Sequence, residues 1–420
     1  MAPQEGADME KVVAVIDLKS FYASCECAVR HLDIFTTPLV CCDPYRAGSS
    51  VVMSVTPYLK KKYGIPNVCR KRDLPNVPGM IYAVPRMSYY LRMSAKVNSI
   101  FLDYVAEEDL HVYSVDESFL NLGPYLHYYN CTAIELVERI KKDIWDKLGL
   151  VATAGIGPNM FLAKCALDNE GKKKEPYYAV WGMEDVQTKL WSIPSLTDVW
   201  GIGNGISSHL KRIGIHTMRD LATADISLLK DEFGIIGYQL HDLANGIDGA
   251  NIDEKYVPKE NSLSNGQTLK RGYKPDEAIV VLREMNDELC YRLRKEGKFA
   301  GKVALYIGYE SKSFMRQRVL DIATDDTNSL FESIMEVFEE EREELPIRGL
   351  CISFGKLTNP PAEQLSIFEN AEIRDERRML DTAIDTIKSV FGKNSILRCS
   401  ALTDNSTIIW RNGMIGGHKQ

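Results

Sequence analysis

The sequence has no apolar run approaching the ~20 residues that a membrane-spanning helix requires. It opens on Met-Ala-Pro-Gln-Glu-Gly-Ala-Asp-Met-Glu, with no basic stretch ahead of an apolar one, so a secretory signal is not expected. Its 10 cysteines include no C-x-x-C pair, and several lie inside apolar runs. Reduced, mostly buried thiols are expected, and a zinc site built on Cys25 and Cys27 is disfavoured. No internal repeat, low-complexity tract or proofreading exonuclease segment is discernible. A cytosolic globular protein without a membrane partner is the expectation. With 45% hydrophobic residues over 420 positions, the chain can bury a large core and divide into two to four domains.

An excess of positive charge is also missing. The net charge is −7, which by itself argues against a nucleic-acid partner. The distribution reverses that argument. Residues 261–320 carry 12 Lys/Arg against 7 Asp/Glu, whereas residues 321–345 carry one Arg against 10 Asp/Glu. An acidic outer face on a helix from Asn328 to about Glu344, elsewhere on the surface, would mask a basic one in the total.

What is present begins with three carboxylates. Asp17 closes the apolar run Val12-Val13-Ala14-Val15-Ile16, and Asp116 and Glu117 close His111-Val112-Tyr113-Ser114-Val115. Singly, each has an ordinary reading: Asp17 as the cap of a helix from Leu18 to about Arg30, Asp116-Glu117 as a solvated turn. Together at neighbouring strand ends they would repel one another unless cations meet them. Mg²⁺ takes oxygen ligands and leaves positions open for phosphate. Two such ions, about 3.5–4 Å apart, clamp an in-line phosphoryl displacement. A nucleotidyl transferase is the chemistry this pattern suggests.

Residues 12–182 alternate strand and helix signals in the order β-α-β-β-α-β, the ferredoxin-like split pattern. A helix is expected at about Met87–Val105, a strand at Phe119–Leu122, and a helix at Thr132–Lys147. Strand Leu150–Ala154, helix Pro158–Asp168 and strand Tyr177–Trp181 follow. Residues 31–80 interrupt the pattern as a small insert. Residues 184–250 read as short helices, 251–265 as a polar linker, and 266–360 as a separate α+β domain with helix Pro275–Glu296 and strands Lys302–Glu310 and Gln317–Thr324. A tail, 361–420, remains.

Several motifs accompany the carboxylates. Phe21 and Tyr22 lie about one turn after Asp17, where a bulky ring can lie against the sugar of a bound nucleotide and exclude a 2′-hydroxyl. Tyr58 and Lys61, three apart, can share a helical face and contact triphosphate oxygens. Gly155-Ile156-Gly157-Pro158 turns a strand into a helix, with Pro158 suited to the first turn and Lys164 placed to reach phosphates. Gly201, Gly203 and Gly205 in a helix-hairpin-helix pattern expose backbone N–H groups that can hold a DNA phosphate without reading sequence. Gln364-Leu365-Ser366-Ile367-Phe368 has the form of a short peptide with apolar anchors for a partner's pocket.

Asp-Leu-Lys-Ser-Phe-Tyr-Ala-Ser, Ser-Val-Asp-Glu-Ser and Gly-Ile-Gly-Pro-Asn-Met-Phe-Leu-Ala-Lys stand in the order and spacing of the Y-family of translesion DNA polymerases. From about Val12 to Phe368 the chain resembles that family, and within it the UmuC-like bacterial branch. The resemblance implies a right-hand polymerase: palm (1–30 and 81–183), small fingers (31–80), helical thumb (184–250) and little finger (266–360). It implies two Mg²⁺ ions held by Asp17, Asp116, Glu117 and the Leu18 carbonyl, with Tyr22 as the steric gate. Tyr58, Lys61 and Lys164 match triphosphate-binding positions, though many members carry Arg where this chain has Lys61, and Lys lacks the bidentate fork. Residues 364–368 resemble the peptide that docks on the bacterial β sliding clamp. Primer-template DNA and dNTPs are the implied substrates, and a UmuD-like accessory protein is a further implied partner. Two rivals fit less: a palm-fold nucleotide cyclase leaves the helix-hairpin-helix and clamp-like peptide unexplained, and a non-catalytic DNA-binding relative leaves the intact carboxylates unexplained.

Overall fold

The computed structural model describes residues 11–44, 50–254, 258, 260–360 and 371–419. The chain forms two compact units, one ending at Lys255 and one beginning at Tyr256. The boundary falls within the expected linker, although strand Leu263–Tyr273 begins before that linker was expected to end.

A five-stranded sheet organises the first unit. Its order is Tyr178–Val180, Ala152–Gly157, Val13–Leu18, Glu117–Asn121, Leu110–Val112. The last four of these have the ferredoxin-like arrangement, with Val13–Leu18 antiparallel to both neighbours. Side chains alternate along a strand. Val13 and Val15 pack with Phe119, Met160, Ala163 and Leu167, so one face meets helix Met160–Ala166. By that alternation Asp17 belongs to the same face, and Glu117 is its cross-strand partner.

Glycine permits this helix to lie close. A Cβ on Gly155 would fall 2.0 Å from the Ala163 carbonyl oxygen, and one on Gly171 would fall 2.4 Å from that of Ala154. The helix begins later than expected. Asn159 is its cap, accepting from the Leu162 N–H at 2.8 Å, so Pro158 precedes it. A π-turn, Leu167–Gly171, continues the segment. The first helix also starts late, at Phe21: Asp17 remains within the strand, and Ser20 turns the chain with φ 51°. Asp17 therefore does not cap that helix.

Strands Ser54–Val55 and Leu39–Cys41 of the insert form a three-stranded sheet with Ile81–Ala83, just past its expected end, and helix Pro57–Tyr63 lies in the insert as well. Four short helices follow the five-stranded sheet: Asn204–Arg212, Met218–Ala222, Ile226–Phe233 and Ile235–Ala244. Their connection back to the sheet's helix Met160–Ala166 is fixed by Asn159 Nδ2, which donates to the Gly246 carbonyl at 2.8 Å, and by the Phe161 N–H, which donates to Asp248 at 3.1 Å.

The second unit is a four-stranded antiparallel sheet ordered Leu263–Tyr273, Ile347–Thr358, Phe299–Gly308, Ser313–Thr324. Helices Pro275–Lys295 and Thr327–Glu341 share its core with Val303, Leu305, Ile307, Leu350 and Ile352. The basic and acidic segments are not on separate surfaces, contrary to expectation. Lys312 pairs with Glu343 at 2.6 Å, and Arg316 donates to Glu341 at 2.6 Å. Arg318 pairs with Glu336 and, at 2.6 Å, with Glu340.

The tail forms helix Ala371–Phe391 and belongs to the second unit. Arg294 holds it through Asp381 at 3.1 Å and Asp385 at 2.6 Å. Arg398 pairs with Asp287 at 2.6 Å, and the buried Glu284 accepts from the Thr407 N–H at 3.0 Å. The expected clamp peptide, Gln364, Leu365, Ile367 and Phe368, lies outside the described residues.

Candidate active site

The three carboxylates converge because two strands and one turn bring them together. Asp17 stands directly opposite Glu117 across the antiparallel pair. Asp116 occupies the turn before Glu117, where its carbonyl accepts from the Leu18 N–H at 2.9 Å and its side chain accepts from Ser114 at 2.8 Å. The strand ends earlier than the apolar run His111–Val115 predicts: it is Leu110–Val112, and Glu117 opens the next one.

Lysines face the acids. Lys164, only 6% exposed, lies 2.6 Å from Glu117 Oε1 and 3.1 Å from Asp168. Lys172 bridges Asp17 and Asp168, at 2.9 Å from each. Burial raises the Asp17 carboxyl above its ordinary range, against the pull of Lys172. Burial likewise raises Glu117, against Lys164. Burial works against the Lys172 ammonium, yet Asp17 and Asp168 outweigh it and hold its pKa above the usual value. Lys172 and Asp168 were not anticipated, although the run Lys172-Lys173-Lys174 shortly after Lys164 was the available signal.

The donor set suits Mg²⁺, being entirely hard oxygen. Glu117 Oε1 is buried, and the Lys164 ammonium is the one partner that reaches it among the described residues. Among the described residues, no three His, Cys, Asp or Glu side chains close around a common point. Asp17 and Glu117 thus stand in lysine-paired positions, while the Asp116 side chain is held by Ser114.

Tyr22 is half-buried, and its ring lies 4.9 Å from that of Tyr90 and 5.5 Å from that of Phe21. Phe21 is 2% exposed and belongs to the core. The fully buried Tyr90 donates to Glu26 at 2.8 Å, and Glu26, itself fully buried, takes two 2.9 Å hydrogen bonds from Arg86. This support for the ring at position 22 was not read from sequence, because its members are dispersed along the chain.

In helix Pro57–Tyr63, Tyr58 accepts from Lys62 at 2.8 Å and Lys61 is exposed. Lys60 is the half-buried lysine of that helix. Gly203 caps helix Asn204–Arg212, Gly201 has φ +90°, and nothing would crowd a Cβ at Gly201, Gly203 or Gly205. Trp200 donates to the Tyr113 hydroxyl at 3.2 Å, tying this hairpin to the turn that carries Asp116.

Comparison with known proteins settles the family. The impB/mucB/samB family matches residues 16–168, and its C-terminal domain matches residues 260–367. The DNA polymerase-iota thumb domain matches residues 197–248. The chain belongs to the Y-family of DNA polymerases. It is 34% identical to the putative UV-damage repair protein UvrX of Bacillus subtilis, over 97% of this chain and 98% of that protein. It is 30% identical to DNA polymerase IV 2 of the same organism, over 97% and 99%. A Y-family DNA polymerase chimera of Dbh and Dpo4 superimposes with a TM-score of 0.67 and 19% identity, over 83% of this chain and all of that one. Family and fold agree with the resemblance seen in the sequence, and Y-family membership implies use of a divalent metal. None of the polymerase's helices, among the described residues, is long and apolar enough to cross a membrane.

Proposed function

We propose that this Y-family polymerase is a DNA-directed DNA polymerase of the translesion type, extending a primer 3′-hydroxyl with deoxynucleotides. The observation that carries this reading is the Asp17–Glu117 cross-strand pair with Asp116 at the adjoining turn. Asp17, Asp116, Glu117 and the Leu18 carbonyl are the proposed ligands of two Mg²⁺ ions. Mg²⁺, when bound, would lower the pKa of the primer hydroxyl and neutralise the leaving pyrophosphate.

The remaining chemistry is positioning by the chain's own residues. Lys164 and Lys172 balance the carboxylates and are proposed to turn to phosphate oxygens when nucleotide arrives. Tyr22, braced by Tyr90, would meet a ribose 2′-hydroxyl and turn ribonucleotides away. Tyr58 and Lys61 are proposed contacts from the fingers. Gly201, Gly203 and Gly205 would present backbone N–H groups to a DNA phosphate. Small fingers enclose the nascent pair loosely, so discrimination rests mainly on base pairing and damaged templates are tolerated.

The substrates are primer-template DNA and dNTPs. Gln364, Leu365, Ile367 and Phe368 are proposed to dock on the bacterial β sliding clamp, a UmuD-like protein is the proposed accessory, and the cytoplasm is the proposed compartment. Primer extension on undamaged and abasic templates tests the reading. Extension across the abasic site supports it; extension of undamaged template alone would remove the translesion assignment.

A further inference from the structure

Asp168 joins two lysines that serve different carboxylates. Its Oδ2 lies 3.1 Å from the Lys164 ammonium, and its Oδ1 lies 2.9 Å from that of Lys172. Lys164 reaches on to Glu117 at 2.6 Å, and Lys172 reaches on to Asp17 at 2.9 Å. Asp17 and Glu117 face each other across their strands, so the five residues close a ring. The like-charged neighbours in that ring are Asp17 and Glu117.

The two ends of each lysine bridge differ in kind. Lys164, Asp168 and Lys172 follow one another at intervals of four, so the contacts to Asp168 are local. The contacts to Glu117 and Asp17 cross to the central strands. The Lys172 backbone is fixed: its N–H donates to the Leu167 carbonyl at 2.9 Å, and its carbonyl accepts from Lys19 Nζ at 2.8 Å. Its side chain is 33% exposed, which leaves room to change partners above a fixed stem.

One carboxylate oxygen cannot serve an ammonium and Mg²⁺ together. Mg²⁺ binds oxygen at about 2.0–2.1 Å, and two cations at one oxygen repel. Loading the centre therefore releases ammonium from Asp17 and Glu117. Asp168, outside the proposed ligand set, is the partner left to both lysines.

We propose that Asp168 is a positioning residue: it retains Lys164 and Lys172 at the edge of the centre when metal claims Glu117 and Asp17. Without it, each lysine keeps its strand carboxylate as the remaining partner and competes harder with metal. The inference rests on the reading of Asp17, Asp116 and Glu117 as metal ligands.

The test is metal affinity without turnover. Mn²⁺, which shares the preference of Mg²⁺ for carboxylate oxygen, is titrated into full-length enzyme and followed by electron paramagnetic resonance. Loss of the signal in Asp116→Ala identifies it as that of the carboxylate centre. Asp168→Asn is expected to raise half-saturating Mn²⁺ about fivefold, the equivalent of one partly exposed ion pair. Asp168→Glu restores the charge and should return within about twofold of wild type.

A lost charge also weakens cation binding through its field alone, so the comparison is repeated in a Lys172→Met background. An effect carried by the lysines must shrink there, to about twofold or less, whereas a field effect persists in full. If Lys172→Met does not fold by thermal melting, Lys164→Met supplies the background. Unchanged Mn²⁺ affinity in Asp168→Asn overturns the proposal. So does failure of Asp168→Glu to recover, or an equal effect with and without the lysine. Wild type that binds no Mn²⁺ would instead remove the metal-ligand reading on which the inference rests.

Discussion

Lys172 Nζ lies 2.9 Å from Asp17 Oδ2, an oxygen of the proposed metal-ligand set. The same ammonium is 2.9 Å from Asp168, four residues before it. Replacing Lys172 with Met should therefore act twice. Apo stability falls, because Asp17 is left buried beside Asp116 with its main cation gone. Nucleotide affinity falls as well, by about tenfold if the ammonium moves to phosphate. Denaturant unfolding and dNTP titration measure the two effects, and unchanged nucleotide affinity would make Lys172 a purely structural counter-ion.

The Tyr22 ring rests on Tyr90 at 4.9 Å, so the gate has a buried support. Tyr22→Ala should sharply increase ribonucleotide incorporation while leaving deoxynucleotide extension measurable. Tyr90→Ala should also relax sugar discrimination, but less, and should cost about 3–5 kcal/mol of stability as a buried large-to-small change. Competition between ribo- and deoxynucleotides on one template reads both. Unchanged discrimination in Tyr22→Ala would refute the gate.

Glu26 sets an acid limit. Burial tends to raise its carboxyl, but hydrogen bonds from Arg86, Arg30 and Tyr90 prevail and hold it below its ordinary value of 4.5. A carboxylate with a depressed folded pKa contributes stability that is fully present above the unfolded pKa. That contribution is lost as pH falls through the folded value. Wild-type stability should thus decline below about pH 4.5, and Glu26→Gln should be less stable at neutral pH with a shallower acid decline. Equal acid slopes in the two proteins would contradict this.

How much of this was legible in sequence depends on range. Asp17, Asp116 and Glu117 were legible because each follows an apolar strand signal and because chemistry explains all three at once. Thr132 and Glu135 announce a capping box, and the helix they begin, Ala133–Leu148, was expected within a residue. The run Lys172-Lys173-Lys174 marks a cationic segment but not which lysine turns inward, because the π-turn Leu167–Gly171 before Lys172 has no local sequence signature. Lys60 and Lys61 differ by one position, and only the packing of their helix tells the inner from the outer. The strands Leu263–Tyr273 and Ile347–Thr358 were missed because polar residues and glycines interrupt their alternation.

The basic strand and the acidic helix of the second unit make a further prediction. Arg318 is tied to Glu336 and Glu340. Glu336→Gln with Glu340→Gln would free one cation for a DNA phosphate. DNA affinity at low salt should rise severalfold, and the log-log salt slope should steepen by about 0.9. Binding measured across a salt series checks this; an unchanged slope would show that Arg318 does not meet DNA.

Arg294 is the main latch of helix Ala371–Phe391, with a side chain 12% exposed against Asp381 and Asp385. Arg294→Ala should destabilise the second unit by about 3–5 kcal/mol, the usual cost of orphaning partners of a buried ion pair. A loss below about 1 kcal/mol would make the contact a surface one.

The most direct test is primer extension with Mg²⁺ by wild type and Asp116→Ala, on undamaged and abasic templates. The account predicts that wild type extends both and that Asp116→Ala, still folded by thermal melting, extends neither. Equal extension by the two proteins would contradict the carboxylate centre; extension by neither, even with the sliding clamp added, would contradict the polymerase reading itself.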